Sequence, residues 1–405
     1  MEKIKRKLYL ASLALAMLSI VFALLISGKQ REFFYFSFYL AMFGLFFERK
    51  KIHWKKIDIS YAIILIGLVK IVWTLVLYRQ DPNYGLGATQ LDAGKKLIVG
   101  GILTFYFSQF SYYLSTFNYR RYLLASFTLA FVLSTGYGLY QIYHGIDRIA
   151  LSTNRATIAA YLYSALSILL IYLLIKNKSA SVYYHLASAL VFIVSFLIIT
   201  MTGTRAAILS HPLLIMLMVL FHYRKIHLKS LLITTVIVGL GIAVSYDKYL
   251  KPKIEQTSME IKLYQQGDDF SSLGSRFSLW RIGLNIFYQH PYGNTVEARR
   301  AQAEEIVSHD RKNKTAMVYI DSHLHDELLE AASLQGIVGL LTVLFFYGYI
   351  ITLAIKYKNT PLLMIGCCMI VYGLSDVLLI SSESLLFFMV CIALFAKKMP
   401  AQICG

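Results

Sequence analysis

Long apolar runs constrain this chain more than any other feature of its sequence. The runs are about 15–25 residues long, close to the length that a helix needs to cross a hydrocarbon core about 30 Å thick. Hydrophobic residues make up 57% of the 405 residues, and charged residues only 15%, whereas about a quarter of the residues in a soluble domain are charged. The sequence therefore predicts an all-α polytopic membrane protein.

Twelve apolar segments are predicted as membrane spans, and one long polar stretch of about 246–333 separates the ninth from the tenth. The segments are 8–28, 33–47, 58–78, 97–114, 122–141, 157–175, 181–200, 206–221, 230–245, 334–355, 361–380 and 384–396. We expect three parts: nine spans in 1–245, a large, partly helical loop in 246–333, and three spans with a short tail in 334–405.

The basic residues show how these spans are oriented. The net charge is +18, but most Lys and Arg residues lie in short segments between apolar runs, which favours the positive-inside rule over nucleic-acid binding. One side collects 20 of them, and the short loops of the other side hold 8. We therefore expect both termini in the cytoplasm and the long loop outside, which is the periplasm in a Gram-negative cell.

The four cysteines indicate no disulfide framework and no zinc site. Cys367, Cys368 and Cys391 lie in apolar runs, and Cys404 lies in the tail. We expect neither a metal nor another cofactor.

Arg205 is the first candidate site residue, because it follows Thr202, Gly203 and Thr204 at the outer end of the seventh segment. An arginine this close to hydrocarbon is costly unless it snorkels to the interface or has a partner. Its guanidinium also matches two phosphate oxygens at once. A snorkelling residue and an anion site are both compatible with this position.

The second candidate is Arg276, in the long loop. Aromatic and aliphatic residues recur at helical spacing, which predicts an amphipathic helix over about 276–289 with Ser275 as its N-cap. Arg276 then lies in the first turn, where free N–H groups favour an anion. A phosphate shared between the helix end and Arg276 explains a cation there. Trp280 and Arg281 are weaker, supporting candidates, for packing and for an interfacial charge.

The third candidate is a histidine at 323–325, where the loop re-enters the membrane. Asp321 or Ser322 is expected to cap a helix. On a helix, the side chains of residues i and i+2 point about 200° apart, so His323 and His325 could not bind the same metal ion there. The ordinary imidazole pKa of about 6.5 suits a general base. Asp321 and Asp326 are candidates to orient it. An ordinary interfacial histidine remains the alternative.

Two arginines and a histidine together fit the transfer of a group from an anionic leaving group. Outside the membrane no ATP drives a synthesis, so a bond made there needs a preactivated donor, such as a glycan on a lipid diphosphate. Arginines supply the charge stabilisation that a metal supplies elsewhere.

At these residues the chain resembles the O-antigen ligases of enteric bacteria, within the larger group of O-antigen ligases and polymerases. The resemblance covers nearly the whole chain in length, span count and loop placement. Its specific motifs, in chain order, are Thr-x-Thr-Arg ending at Arg205, Gly-x-Arg at 274–276, Gly-Leu-Asn-Ile-Phe at 283–287, His-Leu-His at 323–325, Glu330-Ala331, and the pair Gly336 and Gly339.

The resemblance implies a GT-C-like glycosyltransferase architecture in the bacterial inner membrane. It implies metal-independent, inverting transfer of O-antigen polysaccharide from undecaprenyl diphosphate to lipid A–core at the periplasmic face. Arg205 and Arg276 would hold the diphosphate. His325 would be the base, and His323 the second choice, because the spacing to Gly336 and Gly339 fits His325. At the position where the wider family commonly has Asn, this chain has Asp326, and where the family commonly has Glu, it has Leu334.

Two other functions fit parts of the same pattern. An O-antigen polymerase uses the same donor with a second lipid-linked glycan as acceptor. A flippase for lipid-linked oligosaccharides also has many spans, but it normally lines a path across the membrane with polar groups. Lys70 is the main charge within a predicted span, and the polar residues concentrate in one outer loop. This distribution favours chemistry at the membrane surface.

Overall fold

The computed structural model describes residues 2–54, 58–81, 83–115, 117–176, 182–222, 251–309 and 311–396, together with residues 239, 246 and 247. These residues form α-helices and short 3₁₀ segments, without a β-strand. The α-helices are α1 (Glu2–Phe22), α2 (Lys29–Glu48), α3 (Ile59–Leu77), α4 (Ala88–Gln109), α5 (Tyr119–Tyr143), α6 (Ala156–Ile175), α7 (Val182–Met201), α8 (Arg205–His222), α9 (Lys251–Gln265), α10 (Ser272–Gln289), α11 (Val296–His309), α12 (Glu327–Lys356), α13 (Thr360–Gly373) and α14 (Ser382–Phe395).

Most of each apolar segment that the structure describes is helical, although α13 ends at Gly373 within the segment 361–380. Within the described part of the chain six helices, α3, α5, α6, α7, α8 and α12, are long and apolar enough to cross a membrane, and α13 and α14 are shorter apolar helices. The predicted ninth span, 230–245, lies outside the described residues except for residue 239. The chain is thus a polytopic helical membrane protein, and its total of twelve spans stays a prediction.

Helix α6 is buried on nearly all of its faces, and α5, α7, α8, α13 and α14 pack against it. Small residues allow the closest approach between α3 and α4. A methyl group added at Gly67 would lie 2.8 Å from the carbonyl oxygen of Gly94, and the reverse distance is the same. The two backbones therefore touch at this pair, as helices in membranes do at small residues.

The loop layer, which comprises α9, α10, α11 and the 3₁₀ segment Arg311–Val318, covers one end of the helix bundle. Its own small core consists of Leu279, Ile282, Ile286, Ala303, Ala316, Ile320 and Leu324. Tyr78 ties it to the end of α3, because the Tyr78 hydroxyl donates to Glu297 at 2.6 Å and accepts from the backbone N–H of Val296 at 2.9 Å.

Helix α12 contains a sharp break at Gly336, where φ is 64° and ψ is −152°. The segment that follows α10 fits into this break: Pro291 accepts from the N–H of Ile337 at 2.8 Å, and the N–H of Asn294 donates to Leu334 at 2.8 Å. A methyl group on Gly336 would lie 2.3 Å from the carbonyl oxygen of Pro291. The positive φ and this contact together require glycine.

Candidate functional site

A cavity of about 1350 Å³ lies where the loop layer meets the ends of α6, α7 and α8. The walls that α7 and α8 form within the bundle are apolar and include Phe196, Ile208, Leu213 and Met216. The walls next to the loop layer carry five cations, namely Arg148, Arg205, Lys253, Lys262 and Arg276. Among the described residues no carboxylate lines the cavity. An apolar groove that ends in a cluster of cations is suited to binding an amphipathic anion, which has an apolar chain and a charged head.

Arg205 begins α8 and forms a two-point ion pair with Glu260 of α9. Its Nη1 and Nη2 donate to the two carboxylate oxygens at 3.0 and 2.6 Å. Burial alone would raise the pKa of Glu260, but the hydrogen bonds and charge of Arg205 lower it below its usual value. Sequence reasoning did not find Glu260. The pair uses two of the five guanidinium N–H groups, and within the described residues the other three have no partner and remain for a ligand.

Arg276 lies in the second turn of α10, because this helix begins earlier than predicted. Ser271 is the N-cap and accepts from the N–H of Gly274 at 2.9 Å. The predicted cap, Ser275, is wrong, and so is the placement of Arg276 in the first turn. Within the described residues Arg276 forms no hydrogen bond or ion pair, and it faces the cavity. Its charge is available to a ligand.

The two supporting residues on α10 differ in position. Trp280 lines the cavity, and its indole N–H is buried without a hydrogen-bond partner. Arg281 is exposed and is not part of the cavity lining. Only Trp280 is therefore placed to touch a bound molecule there.

The segment from 321 to 326 is a turn rather than the start of a helix. Helix α12 starts at Glu327, and its cap is Asp326, which accepts from the N–H groups of Leu328 and Leu329 at 2.9 Å. The predicted caps Asp321 and Ser322 are wrong. Burial raises the pKa of Asp326, although these two N–H groups oppose the shift. Asp321 instead pairs with Arg300.

The turn brings His323 and His325 together. His325 has a φ of +54°, which is unusual for a residue with a side chain, and the two ring centroids lie 4.3 Å apart. The prediction that these rings point apart on a helix is therefore wrong. Strained backbone of this kind persists only where surrounding contacts hold it.

Leu324 and Glu330 supply those contacts. The Leu324 side chain is fully buried in the loop-layer core, where it packs against Gly283. The Leu324 N–H donates to Glu330 at 2.9 Å, and the same carboxylate oxygen accepts from Arg299 at 2.8 Å. A buried ion pair thus holds the backbone between the two histidines.

Asp376 lies at the centre of a charged cluster beside these histidines. Its Oδ1 is 3.5 Å from Nη1 of Arg155, 3.6 Å from Nε2 of His323 and 3.6 Å from Nδ1 of His325. The guanidinium of Arg155 and the two imidazoles thus surround the Asp376 carboxylate, and the charge of Arg155 favours its ionised form.

Sequence reasoning missed both Asp376 and Arg155. The signal for Asp376 was present, because it is an acidic residue inside the predicted span 361–380, and such residues are rare and commonly functional. The structure ends α13 at Gly373, so this segment is interrupted. Arg155 was counted only as a loop charge, and nothing local connects it to residues 168 or more positions away.

The environments of the two histidines differ. Nε2 of His323 is 2.8 Å from Nη1 of Arg155, and its Nδ1 faces the N–H of His325 at 3.3 Å. Both nitrogens face donors, and burial is the main reason that the pKa of His323 falls to about 4. Nδ1 of His325 is buried and faces Oδ1 of Asp376 at 3.6 Å, whereas the side chain as a whole is 20% exposed, which leaves Nε2 as the nitrogen for a ligand. His325 is the better placed of the two to accept a proton.

The ligand atoms of His323, His325 and Asp376 all lie within 4.8 Å of one another, close enough for a metal ion. However, Nη1 of Arg155 is 2.8 Å from one of these atoms and 3.5 Å from another. The guanidinium thus supplies the positive charge at this point. A dication beside it would face strong repulsion, so the arrangement favours the arginine over a metal.

Tyr161 connects the cationic cavity with the Asp376 cluster. It lines the cavity, and its phenol lies in the field of Asp376, Arg276 and Arg155. Its hydroxyl is buried beside Ser375, the residue that precedes Asp376. An anion-binding wall and a base-containing cluster therefore adjoin in one site.

Comparisons with known proteins show which proteins this chain resembles. The O-antigen ligase family model matches residues 190–344, which include Arg205, Arg276 and both histidines. The chain is 26% identical to the O-antigen ligase of Escherichia coli (strain K12) over 333 residues, which is 80% of this chain and 77% of that protein. The predicted resemblance to the O-antigen ligases is confirmed. It supports an enzymatic role of the glycosyltransferase type in a multi-pass protein of the inner membrane.

Proposed function

We propose that this enzyme transfers O-antigen polysaccharide from undecaprenyl diphosphate to a sugar hydroxyl of lipid A–core. The proposed site faces the periplasm, and both termini are cytoplasmic. The observation that carries the proposal is that two parts adjoin: a groove with apolar walls and five lining cations, and a histidine–aspartate cluster in which Nδ1 of His325 faces Asp376 while the ring stays partly exposed. The twelve spans, the GT-C-like architecture and the division at 245 and 333 belong to the same proposal.

The reaction is a single displacement without a metal. The acceptor hydroxyl oxygen attacks the anomeric carbon from the side opposite the diphosphate. The bond from that carbon to the phosphate oxygen breaks, and its electron pair leaves with undecaprenyl diphosphate. The proton of the acceptor hydroxyl passes to His325, and Arg276 and Arg205 stabilise the leaving charge. Attack from the opposite side inverts the anomeric centre.

Asp376 and Arg155 act as positioning residues in this mechanism. Asp376 lies against both imidazoles and stabilises His325 once it is protonated. Arg155 holds His323 through its Nη1 and reaches Ser381 with its Nη2 at 3.1 Å. His323 therefore supports His325 rather than replacing it. Asp326 acts indirectly, because it caps the start of α12 directly after the histidine turn.

The direct test is a lipopolysaccharide gel from cells that lack this gene. We expect bare lipid A–core while undecaprenyl-linked polymer accumulates, and restoration of the ladder by the wild-type gene. Core that carries a single repeat would instead identify a polymerase. A lack of undecaprenyl-linked polymer in the periplasm would point to a flippase.

Replacing Arg276 with lysine is expected to reduce transfer about tenfold or more. Lysine keeps the charge but loses the planar fork that binds two phosphate oxygens. The rate of transfer to purified lipid A–core measures the effect, with Arg281→Lys as the matched control on the exposed side of α10. Equal activity of the two variants would contradict a role for Arg276 in binding the diphosphate.

A further inference from the structure

Arg148 and Lys253 form a second group among the five cations of the cavity, apart from Arg205 and Arg276, which stabilise the leaving charge. Both lie over Gly203, the residue that precedes the Thr204-Arg205 pair. A methyl group on Gly203 would lie 3.4 Å from Nε of Arg148 and 3.8 Å from Nζ of Lys253. The two cations therefore lie on either side of a small depression whose floor has no side chain.

The backbone at this floor is adapted to the depression. Gly203 has a φ of +66°, in the left-handed region that favours glycine. Arg148 is held over it by a hydrogen bond from its Nε to the carbonyl oxygen of Thr202 at 3.0 Å. That bond leaves the two terminal nitrogens of Arg148 for another acceptor.

The local charge is not balanced by carboxylates. Glu260 is the acidic group nearby, but Arg205 already occupies both of its oxygens. Burial and the neighbouring charges of Arg205 and Arg148 lower the pKa of Lys253, and Glu260 offsets this only in part. Within the described part of the chain, Lys253 donates to the uncharged Gln256 at 3.2 Å and forms no ion pair. Clustered like charges without a counterion favour binding of an anion.

We propose that Arg148, Lys253 and the Gly203 floor form a separate subsite for the lipid-side phosphate of the donor, whereas Arg276 holds the sugar-side phosphate. This inference rests on the proposed function. Arg276 lies on the side of the proposed base, because it shares a face of α10 with Gly283, which packs against Leu324 between the two histidines. The Gly203 depression lies at the end of α7, whose residue Phe196 forms part of the apolar wall.

The two subsites predict different responses to two lipid probes. Undecaprenyl phosphate carries only the lipid-side phosphate, and undecaprenyl diphosphate carries both. Loss of Lys253 therefore weakens the binding of both lipids, and loss of Arg276 weakens that of the diphosphate alone. Arg205, at the start of α8, contributes to lipid binding through the N–H groups that do not bind Glu260.

The test is lipid binding by the full-length protein in detergent, measured as the shift of its melting temperature over a titration with each lipid. We expect Lys253→Met to weaken both lipids about tenfold, since a hydrogen bond to a charged group is lost. Arg276→Gln is expected to weaken only the diphosphate. Lys251→Met, on the same helix but outside the cavity lining, is the matched control.

Two further variants keep the test independent of one side chain. Arg148→Gln and Gly203→Ala are expected to reproduce Lys253→Met, because one removes the second cation and the other fills the depression. Unchanged phosphate binding in Lys253→Met, with wild-type protein that binds both lipids, would overturn the subsite and leave the proposed function intact. Wild-type protein that binds neither lipid would overturn both.

Discussion

Replacing His325 with asparagine is expected to reduce transfer of polysaccharide to lipid A–core by about 10²- to 10⁴-fold, the usual contribution of a general base. Asparagine is the informative substitute, because it tolerates the positive φ of 54° at this position. Alanine would add backbone strain to the loss of the base. The variant therefore separates the chemistry of the imidazole from the conformation of the turn.

The rate should be measured with purified enzyme, lipid-linked polysaccharide and lipid A–core, once the variant has been shown to have the same melting temperature as the wild-type protein. His323→Asn is the paired variant. Its nitrogens already face Arg155 and the N–H of His325, so we expect a smaller loss. If His323→Asn were inactive and His325→Asn active, the two assignments would have to be exchanged.

Replacing Arg299 with methionine is expected to destabilise the protein by about 3–5 kcal/mol, the range for breaking a buried ion pair. Arg299 is fully buried and donates to Glu330 at 2.8 Å and to the carbonyl oxygen of Ile320 at 2.6 Å. Its loss leaves the Glu330 carboxylate buried without its cation. Since Glu330 also accepts from the N–H of Leu324, the histidine turn loosens as well.

A lower melting temperature in detergent, together with a lower rate of transfer, would show this effect. The double variant Arg299→Met with Glu330→Gln is the control. It removes the unpaired charge and keeps an acceptor for Leu324, so it should recover part of the stability. A single variant that melts like wild type would contradict the structural role of the pair.

Lys70 is tolerated within α3 because its ammonium group has a buried polar partner, Gln90. Its Nζ donates to Gln90 at 2.8 Å, and Gln90 lies in turn 3.5 Å from Glu330. The most conspicuous charge within a predicted span thus belongs to a network that ends at the histidine turn. A polar path for transport is not needed to account for it.

Local patterns in the sequence predicted what depends on local physics. An apolar run as long as the hydrocarbon is thick can satisfy its backbone there only as a helix, so α3, α5, α6, α7, α8 and α12 were predictable. The end of α10 at Gln289 was predicted too, because His290 and Pro291 follow it. Caps were less predictable. Ser271 and Ser275 have the same chemistry, and only the path of the chain selects between them.

Arg205, Arg276 and His325 were recognised from motifs, but their surroundings depend on contacts between distant parts of the chain. Arg155, His323 and Asp376 are separated by 168 and 53 positions along the chain and meet within 4 Å. The pairing of Arg205 with Glu260 is of the same kind. Sequence alone determined a helical membrane protein with these three candidates. Only the tertiary structure decided which charges neutralise one another, because ion pairs depend on distance in space.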